Sequence, residues 1–160
     1  MILYHGSNVT VDKPKLIRQN RYLDFGYGFY TTTNRDQAVN FAQKVADRRK
    51  TGVATLNIYS VDEFVAFKEC SLLHFDSPGE AWLDFVAANR QGMYQGKQYD
   101  LIYGAVANDD VYRTITLYMT GILTKDETLS RLKIKELFNQ LVFGTEKSLQ
   151  YLHFEGKELV

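Results

Sequence analysis

The chain of 160 residues carries 19 Lys+Arg against 19 Asp+Glu, so one domain with a single core is expected, without the overall positive field that would hold a nucleic-acid backbone or an anionic membrane. Hydrophobic residues at 45% and charged residues at 24% exclude a disordered, collagenous or fibrous chain. The lone cysteine, Cys70, excludes an internal disulfide and fits a reducing compartment; with no signal-peptide pattern at Met1 and no run near the ~18 apolar residues of a membrane span, a cytoplasmic location is expected.

Residues 2–5 form a short apolar and aromatic run that Gly6-Ser7-Asn8 stops, the pattern of a strand entering a turn. A polar connection runs to Asn20, and an aromatic stretch follows in which Gly26 and Gly28 open a strand over residues 28–32. Asn34 is the expected N-cap of a helix, with Asp36 suiting the positive end of its dipole. Ala38, Phe41, Ala42, Val45 and Ala46 recur at spacings of three and four and predict one buried stripe on that helix. A strand is expected over residues 53–61 and a further short one over 64–67. Pro78 begins a helix that reaches Arg90 and closes at Gly92, with Trp82 in its core face. Residues 101–106 read as a buried strand, Asn108-Asp109-Asp110 as the cap of a helix over 111–120, and Thr124 with Glu127 as a capping box. Residues 140–143 read as a strand, 145–152 as a short helix and the remainder as an edge strand. Strands interrupted irregularly by helices favour α+β over a doubly wound sheet.

Several motifs fail on spacing. Gly92 to Gln98 has three residues between its glycines where a phosphate-binding loop needs four, and Gly26-Tyr27-Gly28 lacks the third glycine of a dinucleotide fingerprint. No metal site is expected, since only three histidines are present and no HExxH or paired cysteines accompany them. His74 and His153 lie in apolar runs and read as packing or surface histidines, and Cys70 reads as a small buried hydrophobe.

Two segments remain: Leu3-Tyr4-His5-Gly6-Ser7, and Phe25-Gly26-Tyr27-Gly28-Phe29-Tyr30-Thr31 ahead of a helix. Together they resemble the ADP-ribosyltransferases of the diphtheria-toxin and poly(ADP-ribose) polymerase type. Those enzymes carry His-Gly-Ser/Thr at the end of the first strand and Gly-x-Gly-x-Tyr before a helix. Over nearly its whole length the chain is also similar to a family of small bacterial proteins in that clan, found beside a short partner gene in toxin–antitoxin-like pairs. The residues that carry this likeness are Leu83-Asp84-Phe85-Val86 with Asn89-Arg90-Gln91-Gly92, then residues 105–109, and Asn139-Gln140-Leu141-Val142-Phe143 with Thr145-Glu146-Lys147.

The resemblance implies an ADP-ribosyltransferase-like split β-sandwich of two small sheets with flanking helices. It implies NAD as co-substrate, transfer of ADP-ribose to a macromolecular acceptor with release of nicotinamide, no metal, and a cognate antitoxin as partner. Tyr30 would stack on nicotinamide, the Gly6 backbone would bond its carboxamide, His5 would bond the adenosine ribose, and Ser7 would help position the ligand. Tyr22 or Tyr27 would cover the other face of the ring. Arg90, otherwise a solvent-facing helix-end residue, would pair with the pyrophosphate. The family's third element is a glutamate, and here Gln140 stands in its place. Gln140 or Glu146 is then the group that acts at the ribose, with Asp109 and Asp110 as a further possibility beside their capping role. Because Gln140 supplies no charge, a non-catalytic NAD- or ADP-ribose-binding module and an NAD glycohydrolase are the alternatives.

Overall fold

A computed structural model describes residues 1–18, 22–135 and 137–160. The end of the polar connection at Asn20 lies outside the described residues. The strands are β1 (Ile2–Ser7), β2 (Phe29–Thr32), β3 (Thr55–Ser60), β4 (Leu72–His74), β5 (Leu101–Ala105), β6 (Asn139–Phe143) and β7 (His153–Leu159). The helices are α1 (Arg35–Arg49), α2 (Glu63–Glu69), α3 (Glu80–Arg90), α4 (Asp109–Met119), α5 (Lys125–Lys133) and α6 (Glu146–Leu149). The fold is α+β: among the described residues one mixed sheet of seven strands runs in the order β4-β5-β6-β2-β1-β3-β7. All neighbours are antiparallel except β4 and β5. No described helix is long and apolar enough to cross a membrane.

The caps follow the local chemistry. Asn34 accepts the Gln37 amide at 2.8 Å and opens α1, which ends on Lys50 in the left-handed region at φ 57°. Asn108 caps α4, and Thr124 with Glu127 closes a reciprocal capping box on α5. The strand expected over residues 64–67 is instead α2. Asp62 caps it by accepting the Val65 amide, Glu63 sits in its first turn, and the apolar run buries only Ala66, leaving Phe64 85% exposed. The three-residue strand β4 was not anticipated, because three residues carry no period and only pairing with β5 defines it.

Side chains leave the sheet alternately to its two faces. On one face α3, α4 and α5 bury Trp82, Val86, Val111, Ile115 and Leu132 against Ile102 and Val142. On the other, Leu3, Phe29, Tyr59, Leu141 and Phe143 pack with Ala66 of α2 and with Cys70, which is a buried thiol as expected. Helix α1 lies on the first face above β1, and only Ala38, Ala42 and Val45 of its expected stripe are buried; Phe41 remains half exposed.

Gly6 explains the closeness of that packing. A Cβ there would stand 2.2 Å from the Ala38 carbonyl oxygen and 2.7 Å from the Ala42 nitrogen, both main-chain atoms that cannot turn aside. Replacing Gly6 by Ala should therefore lift α1 and cost about 1–3 kcal/mol, measured as a lower urea midpoint; an unchanged midpoint would contradict the contact.

Asp100 ties three segments at the far end of β5. Its carboxylate accepts the Ser71 amide at 2.8 Å and the Thr145 hydroxyl at 2.7 Å, joining the starts of β4, β5 and α6. Burial alone would push this carboxyl up, but the Ser71 amide, the Thr145 and Ser71 hydroxyls and nearby Lys147 hold it below the ordinary aspartate value. A folded value below the unfolded one stabilises the fold above about pH 4, and that stability is lost as pH falls through the folded value. Asp100→Asn should lower stability at neutral pH and flatten its decline in acid, seen in urea midpoints from pH 7 to pH 2.

Candidate functional site

Three strands distant in sequence meet at the centre of the sheet in the order β1, β2, β6. Strands β1 and β2 pair only at Tyr4 and Thr32, whereas β2 pairs with β6 from Phe29–Phe143 through Thr32–Gln140. Alternation from these pairs puts Gly6, Tyr30, Thr32 and Gln140 on the face that carries α1 and α3. His5 points the other way. Its ring lies 4.5 Å from that of Phe29, centroid to centroid, and its Nδ1 is 2.8 Å from the Tyr30 carbonyl oxygen, so it bridges the weak seam by a side chain where strand pairing is missing. Burial holds the His5 pKa below its ordinary value, with the Tyr30 carbonyl opposing that shift and Arg49 adding to it. The ring is neutral near pH 7, with Nδ1–H donating and Nε2 left as an acceptor.

Tyr30 is fixed at both ends. Its main chain meets His5, while its hydroxyl donates to the Gly26 carbonyl at 2.6 Å and accepts the Phe25 amide at 3.0 Å. The loop that makes this possible turns at Gly26, whose φ of 76° favours a residue without a side chain. Burial and the nearby Asp24 charge push the Tyr30 phenol far above its ordinary range, so it serves as a neutral ring and not as a base.

Asp24, which the sequence reading passed over, is the buried carboxylate of this face. It is only 5% exposed. One of its oxygens takes both Nε and Nη2 of Arg90 at 2.6 Å, and the other accepts the Ala107 amide at 3.1 Å. Burial pushes the Asp24 carboxyl up, and Arg90, the Ala107 amide and the neighbouring Gln140 side chain oppose that shift. Gln140 is buried as well, and its Nε2 donates to the Ala105 carbonyl at 3.4 Å, an oxygen that also accepts the Trp82 indole at 3.0 Å. Arg90 is thus not solvent-facing: its guanidinium pairs with Asp24 and stacks 4.3 Å from the centroid of the Tyr112 ring on α4.

The remaining candidates are scattered. Ser7 is buried and its hydroxyl accepts the Val9 amide at 3.4 Å, a turn contact. Tyr22 is exposed and lies over Gly92 beyond α3, while Tyr27 lies under the Arg18 guanidinium at 5.9 Å. Glu146 is exposed in the single turn of α6, past the opposite end of β6 from Gln140. Asp109 and Asp110 occupy the first turn of α4 and pair with Lys44 and Lys135. Phe41, also missed, lies on the side of α1 between Gln37, which receives the Thr32 hydroxyl at 2.7 Å, and Lys44, which reaches Asp109 at 3.4 Å. Its half-exposed ring therefore stands on the edge of α1 that faces β2 and α4. Two open depressions lie elsewhere, one of about 540 Å³ beside Lys50, Gly52 and Val160 and one of about 500 Å³ beside Ala88, Met93 and Tyr118.

This is an α+β protein in which a neutral tyrosine, a buried carboxamide and a buried carboxylate–guanidinium pair lie on one side of the central strands. The chain belongs to the family described as protein of unknown function DUF3990, whose model matches residues 1–154. No curated protein and no solved structure matches it.

Removing Arg90 leaves the Asp24 charge buried and alone. Arg90→Met should cost about 3–5 kcal/mol in urea unfolding, and Asp24→Asn added to it should recover much of that loss. Equal midpoints for the single and double variants would mean that the buried charge is not the source of the effect.

Proposed function

We propose that the protein is an NAD-dependent mono-ADP-ribosyltransferase. The observation that carries this reading is the adjacency of three strands: the one with His5-Gly6-Ser7, the one with Gly28-Phe29-Tyr30 and the one with Gln140 are neighbours, and Gly6, Tyr30 and Gln140 share a face. The single register pair between β1 and β2 is the weakest pairing in the described sheet, and we take it as the seam of a split two-sheet fold at which NAD enters.

The chemistry asks for little more than positioning and electrostatics. The bond between ribose C1′ and the nicotinamide nitrogen breaks with its electron pair leaving on nicotinamide, and positive charge builds on the sugar. The acceptor's nucleophile then bonds to C1′ and loses its proton. Tyr30, locked by two hydroxyl hydrogen bonds, offers a ring face worth about 1 kcal/mol beyond area burial to a stacked aromatic. Phe41 on the facing edge of α1 covers the other side of nicotinamide, in preference to Tyr22 or Tyr27, which lie against Gly92 and Arg18. Gln140 accepts a ribose hydroxyl, and Glu146 is too far along the chain from it to share that role. His5, whose ring lies on the opposite face against Phe29, contributes to this site by holding the Tyr30 carbonyl and not by bonding the second ribose. The acceptor is a macromolecule, the setting is cytoplasmic, and the role is that of a toxin held by a cognate antitoxin.

One feature favours a second reading. Among the described residues the carboxylate on this face, Asp24, is engaged by Arg90 and so is not a free base for a nucleophile, as suits a module that binds NAD or ADP-ribose without turnover.

Purified protein incubated with NAD, alone and with cell extract, should release nicotinamide and label an extract component with ADP-ribose. Tyr30→Ala should abolish both, and Tyr30→Phe should keep stacking with weaker activity. Release without transfer indicates a glycohydrolase; retained NAD binding with neither event indicates the binding module, and no binding refutes the whole reading.

A further inference from the structure

The Tyr30 hydroxyl is clamped by a turn. Residues 23–26 fold back so that the Gly26 amide donates to the Leu23 carbonyl at 3.2 Å. That turn presents one donor and one acceptor to Tyr30, and the phenol oxygen meets both: it accepts the Phe25 amide at 3.0 Å and donates to the Gly26 carbonyl at 2.6 Å. A phenol keeps its O–H near the plane of its ring, so a hydroxyl bonded in both directions fixes the rotation of the ring as well as its place. The turn is itself held from α3 and from the segment after β5. Arg90 grips the Asp24 carboxylate with Nε and Nη2 at 2.6 Å, and the Ala107 amide meets its other oxygen at 3.1 Å. Gly26 abuts Asn89, whose Oδ1 would stand 2.8 Å from a Cβ at that position, and the buried Phe25 ring packs against Phe75 and Phe85.

We propose that Asp24 and Arg90 are positioning residues for Tyr30: their ion pair anchors the turn that clamps the phenol hydroxyl, and through it sets the plane of the ring that meets nicotinamide. This rests on the reading of the site as an NAD site. Arg90 then acts on the ring end of the substrate and not on its pyrophosphate, the role that the sequence resemblance implies for it. The guanidinium is occupied accordingly, with two nitrogens on Asp24 and its face against the Tyr112 ring at 4.3 Å. The pair reaches Tyr30 through the main chain of Phe25 and Gly26, so neither charged side chain has to touch the substrate.

The test follows two readouts in the wild type, Arg90→Lys, Tyr30→Phe and the double variant Tyr30→Phe/Arg90→Lys. One is calorimetric binding of carba-NAD, an analogue that keeps its nicotinamide. The other is the Tyr30 Cζ resonance of protein isotope-labelled at the tyrosine Cζ position, assigned by its loss in Tyr30→Phe. Lysine keeps the charge at position 90 but not the two-nitrogen grip on Asp24. Arg90→Lys should weaken carba-NAD binding about 10- to 100-fold, the loss that a misplaced contact group brings, and should shift the Cζ resonance. In the Tyr30→Phe background, where no hydroxyl is left to be clamped, it should weaken binding no further. Losses that add across the two substitutions would overturn the proposal, since Arg90 would then reach the substrate independently of Tyr30, as would a Cζ resonance that Arg90→Lys leaves in place. Should Arg90→Lys fail to fold, the neutral pair Asp24→Asn/Arg90→Met takes its place with the same outcomes. A wild type that does not bind carba-NAD removes the NAD reading alone, because the Cζ resonance still reports whether the ion pair positions Tyr30.

Discussion

The pairing of Asp24 with Arg90 is the interaction on which the centre of this molecule depends. It joins the loop before β2 to the end of α3, and through the Ala107 amide it joins both to the segment that follows β5. A buried carboxylate is expensive to desolvate, and it is tolerated here because both of its oxygens are met by donors: two from the guanidinium and one from the main chain. Moving any of these would move Tyr30 as well. The loop that carries Asp24 also supplies the Gly26 carbonyl and Phe25 amide that hold the Tyr30 hydroxyl.

Local signals carried much of the fold. Asn34, Asn108 and the Thr124–Glu127 box mark helix starts by side-chain chemistry that needs no tertiary context, and the structure has caps at all of them. Signals that depend on what lies across the sheet were weaker. Residues 64–67 read as a strand by composition, yet Asp62 and Glu63 begin a helix there because only Ala66 has a core to face. Phe41 fits the helical stripe by spacing but is displaced from burial by the closeness of α1 to Gly6, which admits Ala38 and Ala42 and nothing larger. Gly6, Tyr30 and Gln140, singled out by motif, stand on the three central strands, and alternation along those strands puts them on one face. Asp24 left no signal, since one acidic residue in a loop reads as solvated, and its burial arises from Arg90, 66 positions away.

The weak pairing between β1 and β2 is what these residues have in common. Strands β1 and β2 meet at one pair, so main-chain groups beyond it lack sheet partners on that side, and His5 spans the gap to the Tyr30 carbonyl. The missing side chain of Gly6 is what admits the α1 main chain this close to β1. Burial disfavours the ionised forms of Tyr30 and His5 on either side of β2, so the groups nearest this weak pairing are neutral.

Titration of the isotope-labelled protein with NAD, followed residue by residue through backbone amide NMR shifts, addresses the seam most directly. The site argued here predicts saturable shifts centred on Gly6, Tyr30, Phe41 and Gln140, with Glu146 and the depression beside Lys50 and Val160 unmoved. Saturable shifts centred on that depression, or no shifts at millimolar NAD, would contradict an NAD site between β1 and β2.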